Sequence, residues 1–210
     1  MKHLRMSFGA SLVVSAIAGA ACTGGGSSTG TNGPTRTSSG GSTKATPQGI
    51  FEGRLQLGTG NDCPDVGPLF GVGRYGDSSV EPSAPSQPIK DGEDFGGGPV
   101  TVACSVTPTG GGAFAVSGTV ELAGPQGGSF HLTGDLAPTG EQSGVYARFA
   151  SPARNVYEES TCVVRYETPS QGVAQGRVWG EITCAKAADS ATQKSCEAIA
   201  QFRFENCTQE

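Results

Sequence analysis

The sequence has few of the residues on which metal sites and spanning helices depend. Its 210 residues include two histidines, and no two of its seven cysteines form a CxxC pair. His131, the only histidine beyond residue 21, is far from any cysteine in sequence, so no zinc site is expected. The main apolar run, within residues 6–18, is shorter than the roughly 20 residues of a spanning helix.

Positive charge and catalytic motifs are also scarce. The formal net charge is −5, and removal of residues 1–21, which carry Lys2 and Arg5 but no acid, makes it −7. An acidic chain does not favour nucleic acid or anionic lipid as a partner. The one GxSxG string, residues 26–30, lies within a glycine- and serine-rich stretch with no apolar strand pattern before it, so it is not the nucleophile elbow of serine hydrolases. We therefore predict a protein that is not an enzyme, with no catalytic residue, cofactor or metal.

The first 22 residues have the pattern of an export signal. Lys2 and Arg5 give a positive start, residues 6–18 are apolar or small, and small residues precede Cys22. This order is typical of a secretory signal peptide over residues 1–21. An ordinary signal cleaved near Ala21, with Cys22 incidental, is the alternative.

The residues around the expected cleavage site, Gly19-Ala20-Ala21-Cys22, resemble the lipobox of bacterial lipoproteins. The sequence departs from that family at Gly19, where an aliphatic residue is usual. The resemblance implies that Cys22 carries a thioether-linked diacylglycerol and an N-acyl chain such as palmitate. Several chains on one residue give stable membrane anchoring. It also implies a cell-envelope location, and Thr23, which is not a retention aspartate, favours the outer membrane.

A tether separates the anchor from the rest of the chain. Residues 23–47 are nearly all glycine, serine, threonine, asparagine and proline, with no large apolar side chain. Such a segment cannot bury enough surface to offset chain entropy, so residues 22–47 are predicted to be a flexible linker. Its typical end-to-end distance would be about 25–30 Å. Residues 48–210 are the length of one domain.

Apolar residues in this domain alternate with polar ones. The first alternating stretch places Phe51, Leu55 and Leu57 on one face. Period-two alternation predicts half-buried strands, and glycine and proline between them favour an antiparallel arrangement. We predict an all-β fold, an antiparallel β-sandwich or a partly open barrel. The stretches are 51–57, 100–106, 114–122, 130–136, 178–184 and 200–204, and the third and fourth are predicted to form a hairpin.

Six cysteines remain after Cys22, and export places them in an oxidising compartment. Three disulfides that staple the domain are the simplest interpretation. Residues 75–98 lack a strand pattern, and Cys63 and Cys104 flank that predicted loop. Cys184 and Cys196 bracket much of a second predicted loop, 185–200. We therefore favour the pairs Cys63–Cys104, Cys184–Cys196 and Cys162–Cys207 among the connectivities that the sequence allows.

Trp179 is the candidate ligand-binding residue. By alternation it shares a face with Arg177 and Glu181. An exposed tryptophan on a sheet could stack on a sugar or anchor a partner. The alternative, which average burial of tryptophan favours, is a ring packed beneath a loop. His131 is interpreted as a solvent-facing strand residue on the face of Asp135.

Two acidic clusters are candidates for calcium, which prefers oxygen ligands on flexible loops. One is the loop 91–94, which departs from the EF-hand pattern at Phe95. The weaker one is Asn61, Asp62 and Asp65 beside Cys63. Solvated acidic loops are the preferred interpretation of both.

The most distinctive sequence motifs, GRVWGEITC and FRFENC, lie within the last forty residues. They resemble the C-terminal block of small, cysteine-containing, β-rich lipoproteins common in myxobacteria. The resemblance implies a surface lipoprotein and transfers no catalytic residue. We expect a binding or structural module for an envelope glycan or protein. The alternatives are an envelope-polymer hydrolase, for which Glu158 and Glu159 point to opposite faces, and an exported inhibitor with a rigid, disulfide-held loop such as 75–98.

Overall fold

A computed structural model describes residues 45–67, 69–73, 86–123, 127–151 and 155–209. The signal sequence, Cys22 and the tether up to residue 44 lie outside these residues. So do residues 75–85 of the predicted loop. No helix in the described part of the chain has the length and apolar character needed to span a bilayer.

The described residues form one antiparallel sheet. The strands are β1 (Gln48–Gln56), β2 (Phe70–Val72), β3 (Ile89–Lys90), β4 (Val100–Pro108), β5 (Phe114–Leu122), β6 (Gly128–Leu136), β7 (Gln142–Ala150), β8 (Val156–Arg165), β9 (Gly172–Ala174), β10 (Arg177–Asp189) and β11 (Ser195–Glu205). The strand order is β2-β1-β11-β10-β8-β7-β6-β5-β4, with β3 on β1 and β9 on β10. The sheet rolls into a nearly closed, barrel-like form. The predicted all-β, antiparallel class is therefore confirmed, in its barrel-like arrangement.

The two ends of the rolled sheet meet at a seam beside β4. The segment after β11 lies against β4, where the Thr208 amide donates to the Cys104 carbonyl at 3.0 Å and the Val106 amide donates to the Thr208 carbonyl at 2.8 Å. A disulfide joins Cys104 to Cys207 at the same place. The seam is thus closed by a short backbone bridge and one covalent bond instead of a full strand pair.

Asp91 extends this closure along β4. Its carboxylate accepts a hydrogen bond from the Val102 amide at 2.8 Å, and its own amide donates to the Pro47 carbonyl at 3.0 Å. One acidic residue of the 91–94 cluster therefore substitutes for a neighbouring strand, because an edge amide needs an acceptor.

Phenylalanine rings fill the interior of the sheet. The Phe130 ring lies within 5.3–5.6 Å of the rings of Phe51, Phe149 and Phe202, measured between centroids. Each such side chain contributes about 1.5–3 kcal/mol when fully buried. Phe204 extends from β11 to the far wall, where a Cβ at Gly118 would lie 2.7 Å from its ring. The glycine inside predicted strand 114–122 therefore makes room for a core ring.

The predicted strand positions are largely confirmed, and the predicted hairpin is the β5–β6 pair. Three expectations were wrong. Leu57 lies beyond the end of β1 and is 64 % exposed, because the chain leaves the sheet at Gln56. Residues 185–189 and 195–200 continue β10 and β11, with the turn confined to 190–194. Ile89 and Lys90, inside the stretch said to lack a strand pattern, pair with β1 as β3.

Three disulfides are confirmed, but the favoured pairing was wrong in every bond. Strand order and register decide which cysteines meet, and chain spacing does not encode them. Cys162 and Cys184, for example, come together because β8 lies beside β10 in a register that opposes Val163 to Thr183. The bonds are Cys63–Cys196, Cys104–Cys207 and Cys162–Cys184.

Candidate functional site: an anchored segment and its adjoining groove

Trp179 lies on the outer face of β10 but is only 6 % exposed. Arg203, directly opposite on β11, places its guanidinium carbon 4.6 Å from the centre of the indole. That guanidinium also donates to Ser86 at 2.8 Å and forms an ion pair with Glu205 at 2.7 Å. A ring so enclosed offers no open face to a sugar, so Trp179 is not part of the candidate site.

His131 lies on the outer face of β6 within a polar network. Its Nδ1 lies 2.8 Å from the Thr119 hydroxyl, and its ring contacts the edge of Tyr146. Tyr146 in turn donates to Glu158 at 2.8 Å. Partial burial, reinforced by the nearby positive charge of Arg148, lowers the pKa of His131. The neutral imidazole therefore joins strands β5 and β6.

A group of metal-type ligands also has a structural explanation. Glu159, Cys162 and Cys184 bring one ligand atom each within 4.8 Å of one another. The two sulfurs form a disulfide, so neither is a thiolate that could bind a metal. The Glu159 carboxylate accepts hydrogen bonds from Thr161 at 2.6 Å and from the Lys186 amide at 2.8 Å. The bond from the Lys186 amide joins β8 to β10.

The segment between β1 and β2 is fastened to the sheet at several points. We call residues 57–67 together with Leu69 the anchored segment. Cys63 is bonded to Cys196 at the start of β11. The Asp62 carboxylate forms an ion pair with Lys194 and accepts a hydrogen bond from the Ser195 amide at 3.2 Å. The lysine, followed by that amide, lowers the pKa of Asp62.

Two further residues hold the same segment against other strands. The Asn61 side chain donates to the Ala185 carbonyl at 2.8 Å and accepts from the Ser195 hydroxyl at 3.1 Å. Asp65 accepts a 2.8 Å hydrogen bond from Tyr157, whose burial and bond to Asp65 raise its pKa to about 12. Of the candidate calcium residues, Asn61 and Asp62 thus share Ser195 of β11 as a partner, whereas Asp65 binds Tyr157 of β8.

The anchored segment presents apolar side chains to solvent. Leu57, Val66 and Leu69 are 64 %, 54 % and 59 % exposed, and they are the exposed large hydrophobic residues of the described chain. Single exposed leucines are ordinary, but here all three fall on one short, multiply fastened segment. Exposed apolar groups on a rigid support are a feature of recognition surfaces.

Leu69 connects this segment to a groove on the outer face of β1, β11 and β10. Glu52, Gln201 and Glu181 form a direct cross-strand row over the three strands. The groove has a volume of about 280 Å³. It is lined by Glu52, Arg54, Leu69, Glu181, Ile199, Ala200 and Gln201.

The two carboxylates of the groove differ in exposure, since Glu52 is exposed and Glu181 is half-buried. The partial burial of Glu52 still raises its pKa. Burial, followed by the negative charge of Glu167, raises the pKa of Glu181, against a hydrogen bond from Gln201 and the positive charges of Arg165 and Arg54. Both shifts mean that the ionised form is disfavoured there, and a nearby cation would restore it.

A larger cavity of about 470 Å³ lies at the seam. None of its lining side chains is charged, and most are small. They are Pro47, Val102, Ala103, Cys104, Ser105, Ser117, Thr119 and Thr208. Its side chains offer a ligand only serine and threonine hydroxyls as polar partners, and no charged or aromatic group.

Comparison of the chain with protein-family models, curated proteins and solved structures gave no match. Sequence reasoning missed Glu52, Glu181 and Gln201, because their row depends on strand register. Leu57, Val66 and Leu69 left a usable signal, namely apolar residues within a link rich in glycine, proline and acids.

Proposed function

We propose that this chain is a lipid-anchored envelope protein that binds a protein or peptide partner through the anchored segment and the groove, without enzymatic activity. The observation that carries the proposal is the placement of Leu57, Val66 and Leu69. They are exposed on a segment held by a disulfide, an ion pair and side-chain hydrogen bonds. A surface that is already ordered loses little conformational entropy when a partner binds.

Export is supported by the cysteines, since all six beyond Cys22 are in disulfides. Disulfides persist in oxidising compartments such as the periplasm and the cell surface. Anchoring rests on the lipobox-like sequence before Cys22. The outer membrane is the proposed location.

The anchor is tested by the intact mass of the protein purified from its own membranes. We expect residues 22–210 plus lipid, less six hydrogens for the three disulfides, and an unlipidated mass for Cys22→Ala. An unlipidated wild-type protein in the medium would remove the membrane from the proposal and leave the binding surface.

The geometry favours binding over hydrolysis of a polymer. The backbones of Glu52 and Glu181 are two strand spacings apart, roughly 9–10 Å. Gln201 lies between them and hydrogen-bonds to Glu181. A catalytic acid and base must instead converge on one bond.

Binding is tested by selection of random displayed peptides on the oxidised, lipidated full chain in nanodiscs. Selected peptides should bind at least about tenfold more weakly to the triple variant Leu57→Ser, Val66→Ser, Leu69→Ser, because exposed apolar anchors carry much of such an interface. The variant should keep the wild-type melting temperature, since these side chains are already in solvent.

The control is Ala103→Gln, an exposed position that lines the seam cavity. It should leave binding unchanged. Peptides that tolerate the triple serine variant but lose affinity for Ala103→Gln would move the binding site to the seam. Failure to select any peptide would contradict the proposed function itself.

An exported inhibitor is the second candidate, and the same segment favours it. An inhibitor needs a rigid exposed loop, and the Cys63–Cys196 bond and the Asp65–Tyr157 hydrogen bond supply one. The predicted inhibitory loop, 75–98, is different, and residues 75–85 are outside the described chain. Inhibition of a secreted hydrolase, lost in the triple serine variant, would identify this special case.

A further inference from the structure

We propose that the groove binds a basic side chain of the partner, lysine or arginine, with its charged head beside Glu52, Gln201 and Glu181 and its alkyl stem against Leu69 and Ile199. This inference rests on the proposed function and names the chemistry of the partner at one point of contact.

The row of polar groups has the composition that a cationic head requires. Glu52 and Glu181 stand at the two ends of the row, and Gln201 lies directly between them. A guanidinium has five donors and an ammonium has three, whereas carboxylate and amide oxygens accept. A head placed over Gln201 can therefore donate both to the amide oxygen and to a carboxylate at either side.

The balance of charge favours a cation from outside. The groove contains two carboxylates and one guanidinium, that of Arg54. Arg165 faces Glu181 across β8 and β10, but its guanidinium is bonded to Glu141 at 2.6 Å. Glu167 adds negative charge near Glu181. A lysine or arginine of the partner would offset this excess of negative charge.

Desolvation adds to this attraction. Burial disfavours the charged forms of Glu52 and Glu181. Charge-assisted hydrogen bonds to a cation are stronger than neutral ones and would compensate for the lost water. The partner's cation would thus stabilise the two carboxylates, whose negative charge the protein's own arginines offset only in part.

Apolar neighbours suit the stem of such a side chain. Leu69 lies on the anchored segment and Ile199 on β11, and both line the groove. Lysine and arginine place their methylene groups along apolar surface while the head remains in a polar place. This pairing joins the groove to the exposed apolar residues of the anchored segment in one surface.

Two other occupants fit less well. A calcium ion takes six to eight oxygen ligands. Only three side chains of the groove lining, those of Glu52, Glu181 and Gln201, offer oxygens, and the same lining includes the guanidinium of Arg54. A sugar usually stacks on an exposed aromatic ring. The groove has none among its lining residues, and Trp179 is enclosed by Arg203.

The test uses peptides from the displayed library, selected on the oxidised, lipidated full chain. Lysine or arginine should be enriched among them. Replacement of the enriched arginine by citrulline, which keeps its shape and removes its charge, should weaken binding about fivefold to tenfold. Glu52→Gln and Glu181→Gln should each weaken the unmodified peptide about threefold to fivefold, and the citrulline peptide much less.

Glu121→Gln is the matched control, since it removes the same charge from an exposed position on β5. It should leave the affinity within about twofold. Equal weakening by Glu121→Gln and Glu52→Gln would overturn the inference, because it would reduce the effect to general attraction by an acidic protein.

The two proposals fail in different ways. Selected peptides without basic residues, or peptides indifferent to both glutamine variants, would overturn the basic side chain in the groove and leave a binding surface. A library that yields no peptide would contradict the binding function before the groove is examined.

Discussion

The seam and the anchored segment are both fastened by a disulfide, yet they differ in what they present to solvent. At the seam, Cys104–Cys207 joins the two ends of the sheet beside small, uncharged side chains. At the anchored segment, Cys63–Cys196 holds a link that carries exposed Leu57 and a chain of polar contacts. One disulfide therefore closes the sheet, and the other holds an exposed surface in place.

The largest expected effect is on stability, and the disulfide of the seam tests it first. Replacement of Cys104 and Cys207 by serine should lower the free energy of unfolding by about 4–5 kcal/mol, since the bond closes a long loop. Its sequence separation is 103 residues, against 22 for Cys162–Cys184. Loss of the latter pair should therefore be milder by about 1.3 kcal/mol. Chemical denaturation of both variants measures the two free energies of unfolding. A larger decrease on loss of Cys162–Cys184 than on loss of Cys104–Cys207 would contradict the prediction that the seam disulfide stabilises the fold more.

The second prediction tests whether the Cys63–Cys196 bond orders the binding surface of the anchored segment. Serine at Cys63 and Cys196 should weaken a selected peptide by about 2 kcal/mol, roughly thirtyfold, because several interface side chains must then be ordered on binding. The Cys162→Ser, Cys184→Ser variant, compared at a temperature where both are folded, should bind normally. Calorimetric titration provides the numbers. Equal affinity of the two variants would mean that the segment needs no covalent anchor to present its surface.

The smallest effect is on stability and comes from the groove. Burial raises the pKa of Glu181, so the folded state holds that proton more tightly than the unfolded chain does. Stability is then lost as pH rises through the raised pKa. Glu181→Gln should stabilise the protein by about 0.5 kcal/mol near pH 7, with little change below about pH 4. Thermal melts at both pH values test the sign, and destabilisation near neutral pH would show that Glu181 supports the fold.

Stabilisation by Glu181→Gln would distinguish the groove from the network around His131. That histidine bonds Thr119 and has a lowered pKa, so it supports the sheet in its neutral form. Burial in the folded protein instead disfavours the ionised form of Glu181. Unfavourable charges that are retained on a surface are expected where a partner will compensate them.

Period-two alternation was enough to predict the interior of the sheet. Phe51, Phe130 and Phe202 all point inward as expected, because each strand buries every second residue. The same rule failed at Leu57, where the chain turns out of the sheet one residue before the pattern ends. Alternation describes a strand but does not determine where it stops.

The candidate site was beyond reach of the sequence for a different reason. Glu52 and Glu181 are 129 positions apart, and they share a groove only because β11 lies between β1 and β10 with Gln201 in register with both. The disulfide pairing depends on the same strand order. Asn61 and Asp62 were visible as a polar cluster, but their true partners, Ala185 and Lys194, are contributed by the turn end of β10 and β11.

The most direct test of the account is the mobility of the anchored segment in the free, oxidised protein. We predict backbone ¹⁵N order parameters of about 0.85 for residues 58–67, equal to those of the strands, because the segment is held before any partner arrives. Order parameters below about 0.6 for these residues would contradict it. The exposed apolar side chains would then sit on a flexible loop, and the preorganised surface that the proposed function requires would not exist.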